Sequence, residues 1–298
     1  TMENHIEKQL RESYNGKLNE LFDKWIKSYQ EDQRHLFCQD GLIVKAKDED
    51  SGYDINSEWE KSQRKIMFIV KDCPDGWGYD TRRLFVGYPD KADSQKNALK
   101  TRSLKGRTRF FKNIALMLYG LYNLTEENKG KTEINCNSFK ADATMRNIIV
   151  NAFNDIPFAY VEAKKLAGKR SCPDKALQES LVRDAAYLGE EINILKPNII
   201  VCCDNHGLIF NSLVTNYFNE TIPDKDHVWE YDYPGAEYVK CKLYYYEEKG
   251  ILLFNSYHPT VLGKEEWTIY EKVISPLRQF FARYKTFDVI SAANKTIK

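Results

Sequence analysis

The chain has no apolar run longer than six residues, Ile114 to Tyr119. Spanning a bilayer takes about 18–20, so a membrane-crossing helix is not expected. Near Met2 no basic stretch leads into an apolar one, and with no secretory leader in view a cytoplasmic setting is expected. The seven cysteines include no C-x-x-C and no Cys/His spacing of a zinc site. Neither a metal centre nor a disulfide framework is therefore expected, and reduced thiols suit the cytoplasm. Histidine is scarce, at five residues, and charge of one sign is missing, with 44 Lys+Arg against 43 Asp+Glu. A surface coated in basic residues for nucleic acid is thereby excluded. No repeat or low-complexity tract is present.

What the chain does contain is an alternation of short buried runs and longer periodic ones. Its 298 residues, 42% hydrophobic, are enough for one large core. Residues 4–30 carry Ile6, Leu10, Leu18, Leu21, Trp25 and Tyr29 at helical spacing, which predicts an amphipathic helix. The stretch Phe37–Val44 reads as a turn feeding a short strand. Compact runs at Lys65–Val70, Pro157–Val161, Pro197–Cys203 and Ile251–Phe254 read as buried parallel strands. Cys241–Tyr246 is expected to pair with the last of these across the turn Glu247–Gly250. Helices are predicted at Phe110–Tyr122, at 174–195 along one stripe from Leu177 to Leu195 with Ser171 and Asp174 as caps, and at Glu265–Tyr284. This alternation predicts a three-layer α/β/α fold on a central, mostly parallel four-stranded sheet. A helical extension over 1–36, the α/β domain over 37–285 and a tail over 286–298 are expected.

In such sheets chemistry gathers at the carboxyl ends of the strands. Four segments qualify: Lys71–Asp80, Glu162–Gly168, Asp204–His206 and Asn255–Thr260. Asp72 ends the first strand, in a loop held tight by Pro74 and glycines, where a carboxylate can position water or stabilise a cation. The alternative is a solvated turn. His258, fixed by Pro259 at the last strand's end, can donate to a developing anion or can simply be structural. His206 also follows a strand end.

The strand–Lys71-Asp72-Cys73-Pro74-Asp75 segment and the later strand–His258-Pro259-Thr260 segment together resemble the motifs of the uracil-DNA glycosylase superfamily. The helix–Lys196-Pro197–strand junction between them resembles that family too, as do Asp40–Val44 and Lys164–Gly168 in uncharacterised bacterial members. The resemblance covers roughly residues 37–280. It implies hydrolysis of an N-glycosidic bond in DNA after base flipping, as in DNA repair. Asp72 would position water or stabilise the sugar cation, and His258 would stabilise the leaving base. Cys73, Pro74, Trp77, Tyr79, Glu162, Asn255 and Thr260 would meet the base, with Trp77 or Tyr79 stacking on it. No cofactor is implied, and the cluster cysteines of one branch are absent. Lys71 and Asp75 replace the motif glycines, and Glu162 stands where the family reads the base with Asn. As an ionised acceptor, Glu162 is expected to repel a carbonyl and to suit an amine-bearing edge.

Residues 91–112 hold eight basic side chains against Asp93 alone. Lys105, Arg107 and Arg109 are the candidate contacts to a nucleic-acid backbone, with Arg82 and Arg83 just upstream. The alternative there is a solvated loop. The balance comes from 220–248, where eight acids meet three lysines. Two further readings stay open: a binding module without catalysis, and a hydrolase using Cys73 with His258.

Overall fold

The computed structural model describes residues 12–45, 54–73, 78–83, 107–125, 152–168, 171–231, 241–261 and 266–284. In chain order the elements are α1 (Tyr14–Trp25), β1 (Gly41–Leu42), α2 (Ile55–Lys61), β2 (Ile66–Asp72), α3 (Arg107–Asn123), β3 (Phe158–Lys164), α4 (Asp174–Arg183), α5 (Ala185–Leu195), β4 (Ile199–Cys203), α6 (Leu208–Ser212), β5 (Val228–Tyr231), β6 (Cys241–Tyr246), β7 (Ile251–Ser256) and α7 (Glu266–Tyr284). No helix among the described residues is long and apolar enough to cross a membrane.

The strands form one mixed sheet of seven, ordered β1-β3-β2-β4-β7-β6-β5. This corrects the expectation of a four-stranded sheet. β3, β2, β4 and β7 pair in parallel, while β1 on one side and β6 and β5 on the other run antiparallel. The parallel strands are the four apolar runs, and a strand covered on both faces must be apolar at every position. The two-residue β1 falls within the Phe37–Val44 stretch predicted to feed a short strand. β5 was not foreseen: it lies in the acid-rich stretch with Trp229 half-buried.

Alternation along β2 sorts the two faces. Ile66, Phe68 and Val70 point to a core shared with Ile114, Met117 and Leu121 of α3 and Val273, Leu277 and Phe280 of α7. Met67 and Ile69 point to the opposite core, with Leu18 and Phe22 of α1, Leu188 and Ile192 of α5, and Ile209 of α6. The N-terminal amphipathic pattern thus shows as α1, whose Leu18, Leu21, Phe22 and Trp25 are buried on this second face.

The stripe read as one helix over 174–195 is two helices that meet at Asp184. The buried Asp184 carboxylate accepts from Tyr29 Oη (2.7 Å) and from Arg183 (2.6 Å), and its backbone leaves helical geometry. Helix α4 has Pro173 at its N-cap with no side-chain cap, so Ser171 and Asp174 do not cap it. Lys196 ends α5 in the left-handed conformation, which directs the chain into Pro197 and β4.

Candidate functional site

The parallel strands all point their carboxyl ends to one edge, so β2, β3 and β7 deliver Asp72, Glu162 and His258 to the same rim. Asp72, Glu162, Lys164 and Tyr160 share the α3/α7 face by strand alternation, and register sets Asp72 directly beside Lys164. With strands roughly 4.8 Å apart and β4 between them, β2 and β7 lie about 10 Å from each other.

Asp72 is nearly enclosed, at 6% side-chain exposure, and its Oδ2 takes a 3.0 Å ion pair from Lys164 Nζ. Lys164 also donates to the Leu166 carbonyl. Burial raises the Asp72 carboxyl above its ordinary value, against the lowering pull of Lys164, Cys172 and Lys71. Gly168 packs on it so closely that a Cβ there would lie 2.2 Å from Oδ2. A side chain at that position would displace the Asp72 carboxylate.

Glu162 is 2% exposed. Its backbone N–H donates to Asp40 Oδ2 (2.6 Å), and its Oε1 accepts from Tyr160 Oη (2.9 Å). Burial, then Cys73 and Asp40, push its carboxyl well above the ordinary range, with Asp72 adding to the push. Burial thus weighs against the ionised state expected of Glu162. Behind it Lys165 is buried between Asp40 and Glu191 (2.9 Å to Glu191 Oε2), with its Nζ over the rings of Trp25 (5.0 Å) and Phe22 (5.3 Å). Burial alone would lower the Lys165 amine, but the two carboxyls outweigh it and hold it raised.

His258 sits in a loop tied down from three sides. Its N–H donates to Asn205 Oδ1 (3.1 Å) at the end of β4. From α3, Asn113 donates to the Pro259 carbonyl (2.6 Å) and Arg109 to the Val261 carbonyl (3.0 Å). The Thr260 N–H donates to His258 Nδ1 (3.3 Å), and Thr260 Oγ1 lies 2.8 Å from the same nitrogen. Nδ1 is thus an acceptor, which leaves the proton of the neutral ring on Nε2. Burial, with Lys71 adding, lowers the ring's pKa to about 4. The imidazole is neutral at pH 7 and has one donor, Nε2–H.

Phe110 links the two ends. Its ring centroid is 6.0 Å from that of His258 and 6.1 Å from that of Tyr160. Phe110, Tyr160 and Asn113 are absent from the sequence-derived candidates, and Lys164 figures there only within the segment Glu162–Gly168 and the resemblance segment Lys164–Gly168, with no role of its own. For Phe110 the signal was its place at the start of α3, where a helix can bring a ring back over the sheet edge. For Lys164 it was its matching position at the end of a strand parallel to β2.

Other candidates fare differently. Cys73 is buried, and the Cys38 thiol hydrogen-bonds with it. That bond and burial push the Cys38 thiol up, and Glu162 adds to the push. Tyr79 is half-buried against Cys38, Cys73 and Ala167. Asn255 is buried on β7 beside Gly207, whose positive φ turns the chain after β4. His206 is half-exposed and contacts Asp174, which Lys71 also reaches (3.3 Å). Arg82 is buried in bonds to Asp80, Asn19 and Gln39, which makes it a brace under α1. Lys112 is buried as well. Pro74, Trp77 and Lys105 lie outside the described residues, as does the side chain of Arg107.

Among the described residues no group of three His, Cys, Asp or Glu side chains is arranged to hold a metal ion. Neither a protein-family model nor a curated protein sequence matches the chain.

Proposed function

We propose that this protein is a glycosylase-like hydrolase that cleaves the N-glycosidic bond of a base in DNA, with Asp72 on the sugar side and His258 on the base side. The observation that carries this reading is the pairing, on one rim, of a carboxylate held by Lys164 with a neutral imidazole whose only proton is on Nε2. Breaking the bond builds positive charge on the sugar and negative charge on the base. A fixed carboxylate and a fixed N–H donor stabilise these two charges as they develop. A neutral histidine donor needs no reorganisation as charge grows. Phe110, between the two ends, offers a ring face to an extruded base. The resemblance in motif order around residues 37–280 supports the same reading.

The test is incubation with single- and double-stranded oligonucleotides carrying uracil, hypoxanthine or alkylated bases, scored for alkali-labile sites. Wild type is expected to cleave at least one of them, with Asp72→Asn and His258→Asn each slower by about a hundredfold or more. Equal inertness of all three proteins on every substrate contradicts the reading.

One observation favours a second reading, a nucleic-acid binding module without catalysis. Lys164 and Gly168 together enclose the Asp72 carboxylate. On that reading DNA binds with a strong salt dependence and no site becomes alkali-labile. The basic segment around Lys105, Arg107 and Arg109 supplies the backbone contacts in either case. The structure engages Arg109 with Val261, so charge reversal there is expected to disturb the His258 loop as well as DNA binding.

A further inference from the structure

The end of β3 puts two consecutive lysines to opposite uses. Lys165 is enclosed between Asp40 and Glu191, with its Nζ over the rings of Trp25 and Phe22, and serves as a structural cation. Lys164, one residue earlier, points the other way, to the rim. Its Nζ lies 3.0 Å from Asp72 Oδ2 and also donates to the Leu166 carbonyl, while its side chain keeps 15% exposure. The backbone sets this pair, since register places Asp72 and Lys164 directly opposite each other at the ends of parallel strands. The rim around it is partly open: Cys172, whose thiol hydrogen-bonds with Asp72, and Lys71 are both half-buried. A lysine amine attacks carbonyl carbon once it has shed a proton. Asp72 is the acceptor in contact with this one, and burial raises its carboxyl towards taking a proton.

Removal of a base leaves a carbonyl carbon at the same place. The sugar of an abasic site opens to an aldehyde at C1′, the atom that carried the base. We propose that Lys164 attacks this carbon and that the protein then cuts the strand as a lyase, a second activity that follows base removal. This inference rests on the glycosylase-like reading for placing the sugar at Asp72. Asp72 takes a proton from Nζ, and the nitrogen lone pair adds to the aldehyde carbon. The C1′ oxygen departs as water, taking one proton from the nitrogen and one from Asp72, and a protonated imine joins Nζ to C1′. The freed Asp72 carboxylate then removes a proton from C2′. The electron pair of that bond forms the C2′=C3′ double bond, and the C3′–O bond breaks with the phosphate as leaving group. Water hydrolyses the imine and returns the lysine, so no oxidant or reductant is consumed.

The probe is an oligonucleotide with a preformed abasic site, on which no base need be removed. With sodium cyanoborohydride the imine is reduced to a stable amine, and a protein–DNA adduct is expected on a denaturing gel. Without the reductant a strand break is expected that needs no alkali. Peptide mapping is expected to place the adduct on Lys164. Lys164→Arg keeps a cation beside Asp72 but offers no amine for an imine, so it is expected to lose both adduct and break, with thermal melts checking that it folds. Lys175→Gln, at a side chain 89% exposed on α4, is expected to keep both. No adduct, an adduct mapped to another amine, an undiminished adduct with Lys164→Arg, or its loss with Lys175→Gln overturns the proposal. Base removal with no adduct refutes the lyase step and leaves the glycosylase-like reading in place. An adduct on Lys164 with every base-bearing oligonucleotide intact does the reverse.

Discussion

The two ends of the rim handle buried polarity in opposite ways. At the β2–β3 end, charge is concentrated: Asp40, Asp72, Glu162 and Glu191 are interleaved with Lys164 and Lys165, and all are buried or nearly so. At the β4–β7 end there is hardly any charge to balance. Asn205, Asn113, Thr260 and backbone carbonyls hold a neutral His258, and Asp204 is absorbed in capping three N–H groups, those of His206, Leu208 and Ile209. The charged end is a network in which each member depends on its partner, and the neutral end is a set of separable hydrogen bonds. The contrast teaches that burial favours the neutral form in both places, but by opposite shifts: it raises the Glu162 carboxyl and lowers the His258 imidazole.

The largest expected break in this symmetry comes from Lys165→Met. Removing the cation leaves Asp40 and Glu191 buried without compensation, and a loss of about 3–5 kcal/mol is expected from chemical denaturation. A loss under about 1 kcal/mol would mean that the network is not the tightly interdependent one described.

Next is the pH dependence of stability, where the two ends have opposite signs. Between its ordinary 6.5 and the folded value of about 4, His258 is protonated in the unfolded chain but not in the folded one. Stability therefore falls as pH drops through that window, by at most about 3 kcal/mol, and His258→Asn flattens the fall. Glu162 keeps its proton in the folded chain above its ordinary 4.5. Its contribution is fully present below that value and is lost as pH rises towards the raised folded value. Glu162→Gln is expected to flatten this opposing decline. Identical pH profiles for wild type and both variants would contradict the assignment of both groups.

At the neutral end the effects are smaller and separable. Asp204→Ala strips the cap from α6 and is expected to cost about 1–2 kcal/mol. Thr260→Val removes one hydroxyl from His258 Nδ1 and is expected to cost about 1 kcal/mol or less, with the ring's pKa as the sharper readout. If Thr260→Val destabilises as much as Lys165→Met, the distinction between the two ends is lost.

Much of the scaffold is legible in the sequence because it follows from local pattern. The runs at Ile66–Val70 and Ile199–Cys203 are apolar at every position because both faces are covered, and the stripe from Leu177 to Leu195 carries helical spacing. The break at Asp184 is not local, since it depends on Tyr29, 155 residues away. Edge strand β5 escaped for a related reason: it is only half covered, so its residues show no clear apolar pattern. The same split runs through the site. Asp72 and His258 are readable as polar residues closing apolar strands. The partnership of Asp72 with Lys164 needs the register of β2 against β3, and the raised carboxyl of Glu162 needs its burial first and then Cys73, Asp40 and Asp72 brought around it. Charge state is a property of neighbours, so the surroundings that raise the Glu162 carboxyl do not show in its place in the sequence.

The central claim is that a held carboxylate and a neutral histidine act on the two sides of one glycosidic bond. It is tested most directly by counting alkali-labile sites in a uracil- or hypoxanthine-containing oligonucleotide treated with wild type, Asp72→Asn and His258→Asn. The account predicts cleavage by wild type on at least one of these substrates and a drop of about a hundredfold or more in each variant. Cleavage by the variants at the wild-type rate, or intact oligonucleotide in every reaction, would contradict it.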